Sequence, residues 1–267
     1  MTDWRSYDGI AETYERVRAP HTAQIARDLV ALAEPPAGGR VLDVGTGTGV
    51  GARAAQEVVG GSGLAIGVDR APAMVATGRA ARPDLRLAAA EAVDLPFRDT
   101  TFDAVTANLV VAMFTRYETA LFDMLRVLRP GGRLAVSWWA DDPDELSETW
   151  RELVLSVIQE EMLDDVQGQA IPHHARFADP VAMDEALRRS GLHPVRVERR
   201  EYRFQSPLED YVEGRATHPV GRFVREMLGD GGWSEFLERA KRTFAERFAD
   251  PVNDFRRVLV AVGTKPA

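Results

Sequence analysis

The chain contains no cysteine among its 267 residues. Disulfides, thiolate catalysis and cysteine-ligated zinc are therefore excluded, while the redox compartment stays undetermined. Positive charge is not in excess either: the formal net charge is -8 and the pI is near 5.3. Phosphate contacts are made by clustered Lys and Arg that release counterions, so a nucleic-acid partner is not expected. Apolar runs long enough to span a bilayer are missing. The opening Met1-Thr2-Asp3-Trp4-Arg5 leads into polar sequence without the apolar core of a signal peptide, and a cytoplasmic address is expected. No repeat period is visible, and 45% hydrophobic with 28% charged residues describes an ordinary globular chain.

What is present is a rhythm. Ile25, Leu29, Val30 and Leu32 stand at helical spacing within residues 22–34, and Pro35-Pro36-Ala37-Gly38-Gly39 ends that helix. Val41-Leu42-Asp43-Val44, then Gly45-Thr46-Gly47-Thr48-Gly49 and an Ala-rich stretch, read as strand, glycine loop and helix. Leu64 to Val68, closed by Asp69, is a second strand, and Pro72 opens a helix in whose first turn proline is tolerated. Leu85 to Leu87, Phe102 to Ala107 and Arg133 to Trp138 continue the series, with a helix over residues 120–128. Alternation of this kind predicts an α/β fold, a doubly wound, mostly parallel seven-stranded sheet.

After Trp139 the rhythm changes. A helical, acid-rich stretch runs from about Asp144 to Asp165, followed by a loop with Pro172-His173-His174 and a helix over residues 182–189. Val195 to Phe204 alternates like a half-exposed strand, residues 208–248 look helical, and Phe255 to Gly263 is a last strand. One domain over 1–267 is expected, with an N-terminal lid over 1–34. Segments 141–176 and 207–250 are expected to cap a ligand beyond the carboxyl ends of the strands; extra packing helices are the plainer alternative.

A glycine triplet after a strand lets backbone approach a ligand closely, and an acid about twenty residues on, here Asp69, can accept from ribose hydroxyls. The dinucleotide fingerprint wants its third glycine where Val50 stands. An NAD-dependent oxidoreductase is thereby the second reading.

Val41 to Gly49 resembles the first motif of class I S-adenosylmethionine-dependent methyltransferases, above all the branch of ubiquinone and menaquinone methyltransferases. Asp69-Arg70-Ala71-Pro72-Ala73-Met74 is similar to that family's ribose-binding acid and adenine-packing methionine. Glu91-Ala92-Val93-Asp94-Leu95-Pro96-Phe97 resembles its adenine-edge segment, with Glu91 for the commoner Asp. Phe102 to Asn108 and Leu125 to Gly132 resemble the fourth strand and the turn before the fifth, so the likeness covers roughly residues 7–138.

The resemblance implies S-adenosylmethionine as cofactor, bound by Tyr7, Tyr14, Arg18, Asp43, Gly45, Thr46, Gly47, Gly49, Asp69, Arg70, Met74, Glu91, Ala92 and Asn108. In it Asp43 and loop carbonyls face the ammonium, Asp69 takes the ribose diol, Glu91 the adenine amino group, and Arg18 the carboxylate. Helix packing for both tyrosines and a solvated surface position for Arg18 stay open.

Methyl transfer is an in-line displacement, so alignment and water exclusion carry much of the catalysis and no dedicated catalytic residue is obligatory. His21, His173 and His174 are the candidates for a proton acceptor, with loop or surface positions the plainer reading. No metal is expected, since adjacent His173 and His174 diverge and a third ligand is not evident. Of Trp138 and Trp139, core packing is expected of both, although one could line a pocket. Leu109-Val110-Val111 stands where amino methylases of nucleic-acid bases carry Pro-Pro-aromatic. The expected acceptor is a small, partly apolar molecule: a quinone, phenol, polyketide or similar product of secondary metabolism, methylated on O, C or N. A non-methylating binder of the same cofactor is a further alternative, and oligomeric state is undetermined.

Overall fold

Runs that are apolar at successive positions suit strands covered on both faces. Val41-Leu42 and Ala104-Val105 are such runs, and they form the middle of a seven-stranded sheet in the computed structural model. The structure describes Trp4, residues 6–142 and residues 144–267. Met1 to Asp3, Arg5 and Pro143 are outside the described residues, and with them most of the opening stretch and the first residues of the expected lid.

In chain order the elements are α1 (Ala11–Val17), α2 (Ala19–Ala33), β1 (Arg40–Val44), α3 (Val50–Val59), β2 (Leu64–Asp69), α4 (Pro72–Ala81), β3 (Arg86–Ala89), β4 (Phe102–Asn108), α5 (Tyr117–Val127) and β5 (Leu128–Trp139). Then follow α6 (Glu145–Leu155), α7 (Glu160–Ala170), α8 (His174–Ala178), α9 (Pro180–Arg189), β6 (Val195–Ser206), α10 (Leu208–Ala216), α11 (Pro219–Arg247) and β7 (Val252–Thr264). The strand order is β3-β2-β1-β4-β5-β7-β6, and among the described residues only β7 runs antiparallel to its neighbours. This is the doubly wound, mostly parallel sheet that the alternation predicts.

Period-two alternation divides the core. Leu42, Val105, Leu134 and Val136 face α5, α8 and α9 through Leu121, Met124, Phe177 and Met183. Val41, Ala104 and Ala135 face α2 and α3 through Ile25, Leu29, Val30 and Ala55. Each large side chain enclosed here is worth about 1.5 to 3 kcal/mol of burial. No helix among the described residues is long and apolar enough to cross a membrane.

Several boundaries differ from the periodicity. The acid-rich stretch is two helices, parted after Ser156, whose hydroxyl bonds the Leu153 carbonyl at 2.5 Å. The stretch 208–248 divides before Pro219, because a residue preceding proline is pushed out of the helical region; His218 has ψ 151. A further kink falls at Gly229, with φ +67. The helices after β5 and β6 share a core of their own, in which Leu146, Trp150 and Leu163 meet Tyr211, Trp233 and Phe236. The two late insertions thus pack against each other.

Candidate functional site

The loop after β1 is positioned from below. The Gly45 and Thr46 N–H groups both donate to the Val68 carbonyl of β2, at 2.8 and 2.9 Å. Gly47 has φ +55 and donates its N–H to Asp69 Oδ2 at 2.8 Å, while Asp69 Oδ1 accepts from the Ala71 N–H at 2.9 Å. A side chain at Gly47 would adopt a strained backbone and stand 3.7 Å from Tyr14 Cε1. Burial pushes the Asp69 carboxyl up, against those two N–H donors.

Asp43 lies beneath the loop. Its two oxygens accept from the Thr46 hydroxyl at 2.6 Å and the Thr106 hydroxyl at 2.7 Å, and it is 2% exposed. A Cβ on Gly51 would collide with this carboxylate, so only glycine lets α3 start so close. Asp43 thereby underpins the loop. Burial raises its pKa to about 6, with Thr46 and Thr106 opposing. Asn108 is engaged likewise: its amide donates to the Thr22 carbonyl at 3.0 Å, and its oxygen accepts from Ser137 at 2.8 Å. Both ends are engaged in tying α2 to the sheet.

The N-terminal helices lie over the glycine loop. Tyr7 and Tyr14 pack with Ala11, Ala71 and Met74, the last 2% exposed. Tyr7 also stands under the Arg222 guanidinium, 4.2 Å from its ring, with its hydroxyl 3.9 Å from Met113 Sδ. Two anchors that the sequence reading missed hold this segment. Asp8 accepts from the Ala73 N–H at 2.9 Å in the first turn of α4, and Glu15 pairs at 2.9 Å with Arg82, which donates to the Thr48 carbonyl at 3.1 Å. An acid ahead of a helix is a capping signal only once the fold has brought the two together. On the far side of Asp69, the Ala90 N–H donates to the Asp69 carbonyl at 3.0 Å. That bond sets exposed Glu91 and buried Ala92 beside β2, while Arg70 is exposed at its end.

Beyond the carboxyl ends of the strands, α6, α7, α10 and α11 enclose a cavity of about 450 Å³. Arg18, His21, Trp139 and His174 line it; His173 does not. Trp138 is a core residue, 2% exposed, so the paired tryptophans take different roles. Trp138 Nε1 donates to His174 Nδ1 at 3.1 Å, which puts the His174 proton on Nε2. His173 Nε2 lies 3.3 Å from the Thr115 carbonyl. His21 stacks on Phe204 at 4.7 Å, with Nε2 3.1 Å from Ser206 Oγ, and burial together with Arg18 lowers its pKa. The cavity also takes Arg215, His218, Asp254 and Arg256 from the later elements, none of them marked by a motif.

A methyltransferase domain model matches residues 42–136. Demethylmenaquinone methyltransferase of Beutenbergia cavernae is 39% identical over 115 residues, 43% of this chain and 46% of that protein. Nocamycin O-methyltransferase of Saccharothrix syringae is 26% identical over 219 residues, 78% of either chain. The first-named kind of relative is spanned over about half its length. The solved structure of the YcgJ protein from Bacillus subtilis superposes with a TM-score of 0.57 at 20% identity, covering 91% of this chain and 99% of that one, and speaks for the fold. The strand-loop-helix start, the acid closing β2, the order of the sheet and these matches agree: the chain carries a methyltransferase domain over residues 42–136 and is similar there to S-adenosylmethionine-dependent methyltransferases of the ubiquinone and menaquinone type.

Proposed function

We propose that the chain transfers a methyl group from S-adenosylmethionine to an O, C or N atom of a small, partly apolar organic molecule, such as a quinone, phenol or polyketide. The observation that carries this reading is the Asp69 carboxylate. It is fixed by the Gly47 and Ala71 N–H groups at the mouth of a glycine loop covered by Tyr14, with an enclosed cavity beyond Arg18. The sulfonium supplies an activated methyl group: its carbon–sulfur bond breaks as the acceptor's bond to carbon forms, leaving neutral S-adenosylhomocysteine.

The chain's own residues then bind, orient and exclude water. Asp69 accepts from the ribose diol, exposed Glu91 is placed for the adenine amino group, and Arg18 for the carboxylate. Asp43, Thr46 and Thr106 keep the loop rigid. Among the three histidines, His21 is the one proposed to take a proton from an acceptor hydroxyl. It lines the cavity and burial favours its neutral form, whereas the Nδ1 of His174 is occupied by Trp138. The segments 141–176 and 207–250 serve as the cap, 1–34 as the lid, and the reaction is placed in the cytoplasm.

Calorimetry is expected to show binding of S-adenosylmethionine and S-adenosylhomocysteine and none of NAD, with labelled methyl appearing in solvent-extractable small molecules of a lysate. Tight NAD binding refutes the reading. Cofactor binding without transfer selects a non-methylating protein of the same fold.

Arg18→Ala is expected to weaken S-adenosylhomocysteine binding by about tenfold or more, the value of a charge-assisted hydrogen bond, and adenosine binding by less than about twofold. Equal losses for the two ligands place Arg18 in the fold and not at the carboxylate.

A further inference from the structure

Among the described residues, two cavity cations, Arg18 and Arg215, have no acceptor, and only Arg215 lies on the cap side. Arg215, on the last turn of α10, is enclosed, and its Nε is buried with no hydrogen-bond partner. Its guanidinium makes no hydrogen bond or ion pair with another described residue and has only the Trp150 ring at 5.8 Å. The nearby carboxylates are engaged elsewhere. Asp144 caps α6 through the Ser147 N–H at 2.9 Å and pairs with Arg256 at 2.8 Å; Asp254 also pairs with Arg256 at 2.8 Å. These acids balance the charge at a distance, but neither forms an ion pair with Arg215.

The other groups facing Arg215 do not supply an acceptor of the right kind. His218 and Arg18 line the same cavity, the Tyr211 hydroxyl nearby is buried without a hydrogen-bond partner, and Asp141 and Glu148 are exposed. Burial among Arg215, Arg18 and Arg222 holds His218 well below its usual pKa, so it is a neutral neighbour. A guanidinium whose Nε is buried and unmet is costly, and its planar fork matches a carboxylate with two parallel N–H···O bonds. One uncompensated fork beside a neutral imidazole suits a single negative charge better than a dianionic phosphate.

We propose that the methyl acceptor carries a carboxylate, held by Arg215 beside His218 on the cap side of the cavity. This deepens the methyltransferase reading and rests on it for the identity of the ligand as acceptor. Arg18 is left to the cofactor's own carboxylate, so the two cations divide between the two ligands. Trp139, Trp150 and Phe204 on the remaining wall take the acceptor's apolar body.

The test uses benzoate, benzamide and phenyl phosphate as probes, titrated calorimetrically into the full chain with and without S-adenosylhomocysteine. Benzoate is expected to bind at least about tenfold more tightly than isosteric benzamide, the discrimination of a charge-assisted hydrogen bond. Arg215→Gln should erase that preference, and Arg215→Lys should keep part of it. Both variants should retain affinity for S-adenosylhomocysteine within about twofold, which also reports that they are folded. Equal affinity for benzoate and benzamide, including no binding of either, overturns the proposal, as does a preference that survives Arg215→Gln. Loss of S-adenosylhomocysteine binding in Arg215→Gln that Arg215→Lys restores overturns it too, by assigning Arg215 to the cofactor. Tighter binding of phenyl phosphate than of benzoate overturns the choice of carboxylate. If benzoate is preferred through Arg215 but no methyl transfer is found with any acceptor, the anion site stands and the transferase reading fails.

Discussion

Asp69→Ala is expected to weaken S-adenosylmethionine and S-adenosylhomocysteine by about 10- to 150-fold, the largest loss from any single side chain of the site. The carboxylate has two functions at once. It fixes the loop by accepting from Gly47 and Ala71, and its remaining lone pairs face the position proposed for the ribose diol. Hydrogen bonds to a charged group are worth about 1.5 to 3 kcal/mol, and alanine also leaves the Gly47 N–H without its acceptor. Asp69→Asn keeps one carbonyl oxygen and should lose less. Calorimetry on variants with wild-type circular dichroism checks the pair, and unchanged affinity in Asp69→Ala removes this residue from the cofactor site. Because burial raises the Asp69 pKa, wild-type affinity should also begin to fall at a higher pH on acidification than an ordinary carboxylate would dictate.

Asp43 predicts a pH-dependent stability of unusual sign. Its folded pKa of about 6 lies above the ordinary 3.8, so between those values the folded state binds more protons than the unfolded one. Stability supplied by this group is therefore full below about pH 4 and is lost as pH rises through 6, by about 3 kcal/mol across that window. Paired carboxylates such as Asp123, which Arg126 holds low, push the total the other way. The discriminating quantity is thus the difference between wild type and Asp43→Asn in urea unfolding at pH 4, 5, 6 and 7. The variant, with no proton to lose, should gain on the wild type steadily over that range, after a constant loss for the altered bonds to Thr46 and Thr106. A constant difference at all four pH values shows that Asp43 is not perturbed.

Local chemistry was legible where it is written in consecutive residues. Apolar runs closed by Gly or Asp marked the strand series, Pro72 marked a helix start, and the spacing from Gly45 to Asp69 pointed to a ligand with a ribose. Boundaries failed where a single residue decides between two helices, as at Ser156 and before Pro219. The contacts that Asp43 and Asn108 make within the fold were not legible for a different reason. Each is polar at the end of a strand, and polarity there is equally consistent with a ligand contact and with a strut. The strut contacts come from Thr106, 63 residues from Asp43, and from Thr22, 86 residues from Asn108.

The sequence by itself determined the alternating sheet, the glycine loop, the acid at the end of β2, and the resemblance to methyltransferases, because these depend on residue types at short spacings. It also excluded thiol chemistry outright. Only the tertiary structure decided that Trp139 and not Trp138 faces the cavity, that His174 is engaged by Trp138 while His21 is half-buried beside Arg18, and that the Arg215 Nε is buried there without an acceptor. The reason is physical: a buried polar group is defined by what stands within hydrogen-bonding distance, and those partners come from segments as far as 218 residues away in the chain.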